Sequence, residues 1–244
     1  MFKSYFKSLY QRTMKEAYGL AYREIISALV KGGMCLDCGA NKGYWYEKLS
    51  KEIQLTKKQY YGIEWNETCV AIGRKKGLNI QQGDLNKPLP YEEGKFTCVF
   101  ALSVLEHLLN GCHFIKECHR VLGTDGKLLL LTPNISTYFT AILILLGKMP
   151  SSGPHPDSDI LMKTEEIFKV SPDSLIRDTE SDTPVHRHLV VFSYRLLKKY
   201  LQMIGFSKVE GYGFGLYPLP NIVQPIFEKI DPYHCHQMVF IAQK

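Results

Sequence analysis

Apolar residues recur along the chain with helical and strand periods in alternation, beginning close to the amino terminus. From about residue 9 to residue 30 they return every three or four positions, which predicts one amphipathic helix. Gly32 and Gly33 end this pattern, and residues 34–38 then predict a short buried strand. A turn through Gly39 and Gly43 leads into a second helical pattern. The order is therefore helix, strand, glycine turn and helix.

The same alternation continues towards the carboxyl terminus. Further strands are predicted at residues 60–64, 78–81, 96–102, 127–132, 208–212 and 237–242. Further helices are predicted at residues 67–76, around residues 114–122, and from an N-cap at Ser193 to Gly205. Alternating strands and helices predict a parallel sheet with right-handed crossovers and helices on both faces.

One stretch departs from this regular pattern. After Pro133-Asn134 comes an apolar run at residues 138–146, and then a polar region rich in Pro, Ser and Asp up to about residue 183. We interpret residues 135–190 as an insertion. With 244 residues, a single domain over residues 1–244 is expected, with residues 1–32 as an amino-terminal helical cap.

Composition supports a folded chain without a membrane span. Hydrophobic residues make up 45% and charged residues 22%, which is typical of globular proteins. The net charge of +6 is spread along the chain, so no basic arm for nucleic acid is predicted. The longest apolar run, residues 141–146, is too short to cross a bilayer, and the first 15 residues lack the features of a secretory signal. We expect a cytoplasmic protein.

The seven cysteines do not form a disulfide pattern. Their number is odd, and Cys35, Cys38, Cys98 and Cys118 fall within predicted core elements. Cys35 and Cys38 form a C-x-x-C, yet no second Cys/His pair stands at zinc-finger spacing. We expect buried thiols in a reducing compartment, and no metal.

Polar chemistry gathers where the first strands end. The turn Asp37-Cys38-Gly39-Ala40-Asn41-Lys42-Gly43 lets the backbone approach a ligand closely, because glycine has no Cβ. Glu64 ends the second strand, where a carboxylate can accept hydrogen bonds from two ribose hydroxyls. Asp84, after the third strand, is placed to accept from an adenine amino group. Three such loops at one sheet edge predict an adenosine-type ligand site.

This arrangement resembles the class I S-adenosylmethionine-dependent methyltransferases, in particular the group with quinone-biosynthesis and small-molecule enzymes. Residues 37–43 are similar to the family's first motif, Asp/Glu-x-Gly-x-Gly-x-Gly, with Asn41 in place of the middle glycine. Asn tolerates a left-handed backbone better than most residues. Glu64 matches the ribose acid and Gly83-Asp84-Leu85 the adenine-side loop. Residues 96–108, 117–128 and 188–206 resemble the family's later elements.

The resemblance implies a Rossmann-like methyltransferase fold, with a mostly parallel seven-stranded sheet, helices on both faces and an antiparallel last strand. It implies S-adenosylmethionine as cofactor and S-adenosylhomocysteine as product. The implied cofactor-binding residues are Asp37, Gly39, Ala40, Asn41, Gly43, Glu64, Trp65, Gly83, Asp84, Leu85, Leu102 and Ser103. The implied activity is methyl transfer. Because residues 135–190 follow the fifth strand at the carboxyl edge of the sheet, where ligands of open α/β sheets bind, we expect them to cover the acceptor site as a lid.

Two rival functions share this fold. A nicotinamide-dependent oxidoreductase would carry Gly-x-Gly-x-x-Gly to wrap a pyrophosphate, whereas this turn reads Gly-x-x-x-Gly. Glu106-His107 and His186-x-His188 are faintly similar to metal-binding small-RNA 2′-O-methyltransferases. Ser103 replaces the first acidic ligand of that pattern, and no basic patch for RNA is present. The sequence therefore favours neither rival.

The acceptor side is less well specified. Methyl transfer requires alignment above all, and His107, after the fourth strand, is the candidate general base for a hydroxyl acceptor. Glu106 and His107 could equally brace their loop, and a protein that binds the cofactor without catalysis stays open. We expect a small-molecule, sugar or lipid-like acceptor and no specific nucleic acid. Peripheral membrane contact, and a monomer or homodimer, are left open.

Overall fold

A computed structural model of the protein describes residues 2–150, 152–154 and 188–244. Most of the predicted insertion, residues 155–187, and His186 with it, lies outside the described residues. Within them, seven strands form one sheet. The strands are β1 Cys35–Cys38, β2 Tyr60–Glu64, β3 Asn79–Gln82, β4 Phe96–Leu102, β5 Leu122–Pro133, β6 Lys208–Phe214 and β7 Gln237–Gln243.

The strand order is β3-β2-β1-β4-β5-β7-β6. Strands β1 to β5 pair in parallel, and β7 runs antiparallel to both β5 and β6. This confirms the predicted Rossmann-like sheet with an antiparallel last strand. Because β2 and β4 lie on opposite sides of β1, the chain leaves the sheet in two directions here, and the carboxyl ends of β1 and β4 flank a crevice.

The helices agree with the predicted order, with differences at their bounds. They are α1 Phe2–Leu29, α2 Tyr44–Glu52, α3 Glu67–Lys75, α4 Gly111–Val121, α5 Tyr138–Leu145, α6 Tyr194–Met203 and α7 Gln224–Ile230, with single 3-10 turns at Leu105–His107 and Pro232–His234. The predicted N-cap is confirmed, since the Ser193 side chain accepts a hydrogen bond from the Leu196 amide. Gly205 follows α6 with φ of +107°.

Two elements differ from the predicted pattern. Helix α7 was not predicted, because it is short and carries Pro225 in its first turn. Proline is tolerated there because an N–H in the first turn has no hydrogen-bond partner within the helix. Strand β5 begins at Leu122 instead of Lys127. Its first residues are polar or glycine and gave no strand pattern, yet Leu122 still aligns with Phe96 of β4 across an irregular register.

Helices cover both faces of the sheet, as predicted. One face packs against α4 and α6, with Leu128 and Leu130 of β5 pointing to this side. The other face packs against α1 and α2, and receives Leu129 and Leu131. Successive residues in the second half of β5 are apolar, because this central strand is buried on both faces of the sheet.

The cysteines are all free, which confirms that no disulfide framework is present. Six are buried and only Cys112 is exposed. Burial raises the pKa of the Cys35 thiol well above its usual value.

An ion pair joins the first and last helices. Both Nη atoms of Arg12 on α1 donate to the Glu228 carboxylate on α7, each at 2.9 Å, and Arg12 also donates to Gln224 at 2.7 Å. Glu228 also accepts from the Gly215 amide at 2.7 Å. The start of α1 is thereby held beside the loop that precedes β7.

Candidate cofactor and acceptor site

The turn after β1 adopts the backbone that its sequence predicts. Gly39, Asn41 and Gly43 all have positive φ, at +84°, +47° and +85°. The amides of Gly39 and Ala40 donate to the Ile63 carbonyl of β2 at 2.9 and 3.0 Å. A Cβ on Gly39 would lie 2.6 Å from Val104, so a side chain is excluded here by close approach as well as by φ.

Gly43 is needed for a different reason. As N-cap of α2 it takes a left-handed conformation, and a Cβ would collide with Leu78, which precedes β3. Packing between this turn and β3 therefore requires glycine at Gly43, independently of any ligand.

Glu64 joins two loops at the carboxyl edge of the sheet. One carboxylate oxygen accepts from the Asn41 amide at 2.7 Å, and the other from the Asn66 amide at 2.9 Å. A carboxylate has about four acceptor sites, so each oxygen keeps capacity for a further donor. Glu64 is half-exposed and can therefore accept from two neighbouring hydroxyls of a ligand.

Beside Glu64, the adenine-side loop has a fixed shape. The Gly83 amide donates to the Glu64 carbonyl at 3.0 Å, and Asp84 Oδ1 accepts from the amide and the side chain of Asn86, both at 2.9 Å. Leu85 is buried beneath the loop. Trp65 is 61% exposed, which presents a large aromatic surface to solvent next to the Glu64 carboxylate.

Asp37, the acid that opens the turn motif, lies within β1. It is 2% exposed within β1, and its carboxyl accepts a hydrogen bond from the Tyr60 hydroxyl at 2.5 Å. Burial raises the pKa of Asp37 to about 7, although the Tyr60 hydrogen bond acts in the opposite direction. The structure therefore places this carboxyl between β1 and β2, behind the turn.

The end of β4 is covered by the amino-terminal helix. Ser103 has φ of +57°, a strained conformation for a residue other than glycine, and its hydroxyl lies 3.0 Å from the Tyr18 hydroxyl of α1. Tyr18 in turn stacks on Trp45 of α2, with ring centroids 5.8 Å apart. Leu102, the last residue of β4, is half-buried beside them.

Beyond Ser103, a 3-10 turn carries Glu106 and His107. Glu106 is 3% exposed and accepts from the Thr132 hydroxyl of β5 at 3.0 Å. Burial raises the pKa of Glu106 to about 7. The ring of His188 lies against that of His107, with centroids 5.5 Å apart. The structure thus brings together two sequence-predicted candidates, His107 and His188, from separate parts of the chain.

The chain matches a methyltransferase domain family over residues 10–210. It belongs to this family of class I S-adenosylmethionine-dependent methyltransferases. The matched range includes the glycine turn, Glu64, Ser103 and the Glu106-His107 turn, and it confirms the resemblance inferred from the sequence. S-adenosylmethionine is the cofactor of the family.

Curated relatives of this methyltransferase chain match it over shorter stretches. A probable S-adenosylmethionine-dependent methyltransferase of Mycobacterium tuberculosis is 30% identical over 105 residues, which are 42% of this chain and 36% of that protein. A demethylmenaquinone methyltransferase of Staphylococcus epidermidis is 25% identical over 134 residues, which are 49% of this chain and 55% of that protein. The matches therefore span about a third to a half of the relatives' length.

Solved structures share the fold at low sequence identity. A methyltransferase from Mesorhizobium loti has a TM-score of 0.58 at 16% identity, over 93% of this chain and 98% of that chain. One from Archaeoglobus fulgidus has a TM-score of 0.56 at 17% identity, over 94% of each chain.

No helix among the described residues has the length and apolar character needed to cross a bilayer.

Four residues at this site did not emerge from the sequence: Tyr18, Trp45, Tyr60 and Thr132. Tyr18 lies next to the buried Ala17 within an apolar helical pattern, where a tyrosine reads as ordinary core. Its hydroxyl was the available signal, because a buried tyrosine usually needs a hydrogen-bond partner. Thr132 ends a buried strand and offered the same signal.

Proposed function

We propose that the protein is a methyltransferase that transfers a methyl group from S-adenosylmethionine to a small-molecule, sugar or lipid-like acceptor. The observation that carries the proposal is that two groups of candidate residues lie at the same edge of the sheet. The Glu64 turn with the exposed Trp65, and the segment from Ser103 to His107, lie beyond the carboxyl ends of β2 and β4, on either side of β1. Nucleoside recognition and acceptor chemistry therefore meet at one crevice.

The residues present suit the nucleoside part of this cofactor. Glu64 retains acceptor capacity for two ribose hydroxyls, and the indole of Trp65 is free to pack on an adenine face. Gly39 has a positive φ and packs directly against Val104, which keeps the turn after β1 compact beside the segment that follows β4. We assign Ala40, Asn41, Gly83, Asp84, Leu85, Leu102 and Ser103 to the walls of this site, as the family resemblance implies.

Our proposal gives Asp37 an indirect part. Its hydrogen bond with Tyr60 ties β1 to β2 directly before the turn, so it positions the turn backbone against Glu64.

When bound, the cofactor would supply a sulfonium methyl group, to whose carbon the acceptor forms a bond while the C–S bond breaks and its electron pair stays on sulfur. The protein's residues hold the acceptor in line, exclude water and promote loss of the acceptor proton. Tyr18, stacked on Trp45 above Ser103, closes one side of the crevice. His107 follows Ser103 closely in the chain and is the imidazole placed to assist proton loss from a hydroxyl acceptor.

Calorimetry with the full chain tests the cofactor assignment. We expect S-adenosylmethionine and S-adenosylhomocysteine to bind and NAD not to bind. Glu64→Ala should weaken binding about ten- to a hundred-fold, since hydrogen bonds to a charged group contribute about 1.5–3 kcal/mol. Glu93→Ala, which removes an exposed glutamate outside the site, is the matched control and should bind normally.

Tight NAD binding without S-adenosylmethionine binding would reject the assignment. Methyl uptake from labelled cofactor should then be measured on sugars, lipid head groups, quinol precursors and small carboxylates. Cofactor binding with no uptake by any of these classes would contradict the proposed small-molecule activity and favour a protein that binds the cofactor without catalysis.

A further inference from the structure

Three potential ligands for a metal ion converge beyond the end of β4. One ligand atom each from Glu106, His107 and His188 lies within 4.8 Å of the other two. We propose that these three side chains bind one divalent first-row transition-metal cation, such as Zn²⁺ or Mn²⁺, at the acceptor side of the crevice. The inference rests on the proposed methyltransferase function for its purpose, but its geometry is independent of that function.

The separation of the ligand atoms suits a single ion. Metal–ligand bonds of about 2.0–2.2 Å put two ligands of one ion about 3–4 Å apart, so the three side chains need to close by only about an ångström. Two imidazoles and a carboxylate match Zn²⁺, Mn²⁺ or Fe²⁺ better than Mg²⁺ or Ca²⁺, which prefer ligand sets of oxygen alone. Three protein ligands leave coordination positions for a further molecule.

Hydrogen bonds from neighbouring residues orient Glu106 and His188, as they commonly orient the ligands of metal sites. The Thr132 hydroxyl donates to Glu106 Oε2 at 3.0 Å. Nδ1 of His188 lies 3.3 Å from the Ser152 carbonyl, which requires the proton on Nδ1 for a hydrogen bond. That tautomer puts the lone pair on Nε2. A metal-binding histidine usually donates its other nitrogen to a carbonyl or carboxylate in this way.

The backbone holds the two halves of the cluster together. The amides of Leu189 and Val190 donate to the Glu106 carbonyl at 2.7 and 3.3 Å. His188 directly precedes this contact, and His107 directly follows Glu106. The approach of the two histidines is therefore set by main-chain hydrogen bonds as well as by their side-chain torsions.

Charge at the cluster is also favourable to a cation. Glu106 is almost fully buried, and within the described segments no lysine or arginine forms an ion pair with it. A buried carboxylate is costly without a compensating positive group. A divalent cation bound to Glu106 and to the two imidazoles would supply the compensating positive charge.

The open position specifies a class of acceptor. A hydroxyl oxygen bound to such a cation loses its proton more readily, because the positive charge lowers the pKa of the bound oxygen. The proton passes to solvent, the oxygen forms a bond to the methyl carbon, and the C–S bond breaks with its electron pair on sulfur. In this arrangement His107 promotes proton loss as a ligand of the cation rather than as a free general base, and the acceptor is an oxygen nucleophile.

Metal binding alone tests the proposal. Metal-free full-length protein, without cofactor or acceptor, is titrated with ZnCl₂ and with MnCl₂ in a calorimeter, and the bound metal is counted after dialysis. We expect one cation per chain. Glu106→Gln and His188→Ala should weaken binding at least about tenfold, the lower end of losses seen even for outer-shell changes. His113→Ala, an exposed histidine on α4, is the matched control and should bind as the original chain does.

Because Glu106 is buried, the fold of Glu106→Gln is checked by circular dichroism, and the half-exposed His188→Ala carries the test if that variant unfolds. No cation on the original chain at millimolar metal, or equal binding by His188→Ala, would overturn the site. Binding of S-adenosylmethionine is measured separately. Cofactor without cation refutes only the metal site, and cation without cofactor refutes only the proposed function.

Turnover separates a metal ligand from a free base. If His107 acted alone as a general base, His107→Ala would lower methyl transfer roughly 10²- to 10⁴-fold and His188→Ala would have little effect. With a shared cation, both variants lose activity to a similar degree and a chelator removes it from the original chain. Both variants should keep nearly normal affinity for the cofactor.

Discussion

At the scale of single residues, backbone conformation and burial separate groups that look alike in the sequence. Asn41 takes the place of the middle glycine in the motif that its turn resembles, and its φ of +47° is left-handed. Its amide then reaches Glu64. Asp37, in the same motif, is buried against Tyr60. Two residues of one motif thus contribute in different ways: Asn41 through its backbone, and Asp37 through a buried side chain.

His236 is a buried imidazole with a measurable pH signature. It is 5% exposed and stacks on Tyr217 with ring centroids 4.9 Å apart, and Nδ1 has no hydrogen-bond partner among the described residues. Burial lowers its pKa to about 4. In the unfolded chain the ordinary value is about 6.5. Between these values only the unfolded state binds the proton, so this residue's contribution to stability is lost as pH falls from about 6.5 towards 4.

We therefore predict that, from pH 7 to pH 5, the free energy of unfolding of the original chain falls by about 2 kcal/mol relative to that of His236→Gln. Urea denaturation at several pH values measures both. The exposed His113→Gln provides the control and should follow the original chain. Parallel pH dependence in all three proteins would show that His236 titrates normally in the folded state.

At the scale of elements, α5 combines an anchored face with an exposed one. Phe139 and Leu143 pack with Phe6, Leu9 and Tyr217 in a small core cluster. On the other face Ile142, Leu145 and Leu146 are exposed, with Leu145 at 85%. The helix follows β5 and so begins at the carboxyl edge of the sheet, where ligands of such folds bind. We propose that α5 forms part of a lid over the acceptor site.

Hydrogen exchange tests the lid. With S-adenosylhomocysteine bound, amides of residues 138–146 should exchange more slowly than in the free protein, because a lid packed on the crevice opens less often. Helix α6, which is anchored in the core by Leu197 and Leu201, is the internal control and should change little. Equal, strong protection of α5 in both forms would make it a permanent core element.

At the scale of the whole molecule, the Arg12–Glu228 pair joins α1 to α7, which follows β6. The Glu228 carboxylate is 7% exposed, so removal of Arg12 leaves it buried with only neutral donors. We predict that Arg12→Ala lowers the free energy of unfolding by about 3–5 kcal/mol. Lys208→Ala, which breaks the exposed Lys208–Glu210 pair, should cost at most about 1 kcal/mol. Urea denaturation of both variants measures the difference, and similar small losses would show that Arg12 contributes little.

The sequence by itself determined the order of strands and helices, the glycine turn and the acid at the end of β2. Each of these depends on local periodicity or on a few neighbouring residues, such as the positive φ positions from Gly39 to Gly43. The sheet topology followed because alternating strands and helices have few right-handed ways to pack. The helix at Gln224–Ile230 was not predicted from the sequence, because seven residues are too few to show a helical period.

Only the tertiary structure decided which distant groups meet. It buried Asp37 against Tyr60, set Tyr18 over Ser103, and brought His188 beside Glu106 and His107. These contacts join segments far apart in the chain, and no local pattern records them, because they arise from the packing of helices on the sheet and from hydrogen bonds between loops. The candidate metal site exists for that reason: its ligands become one site only after the chain has folded.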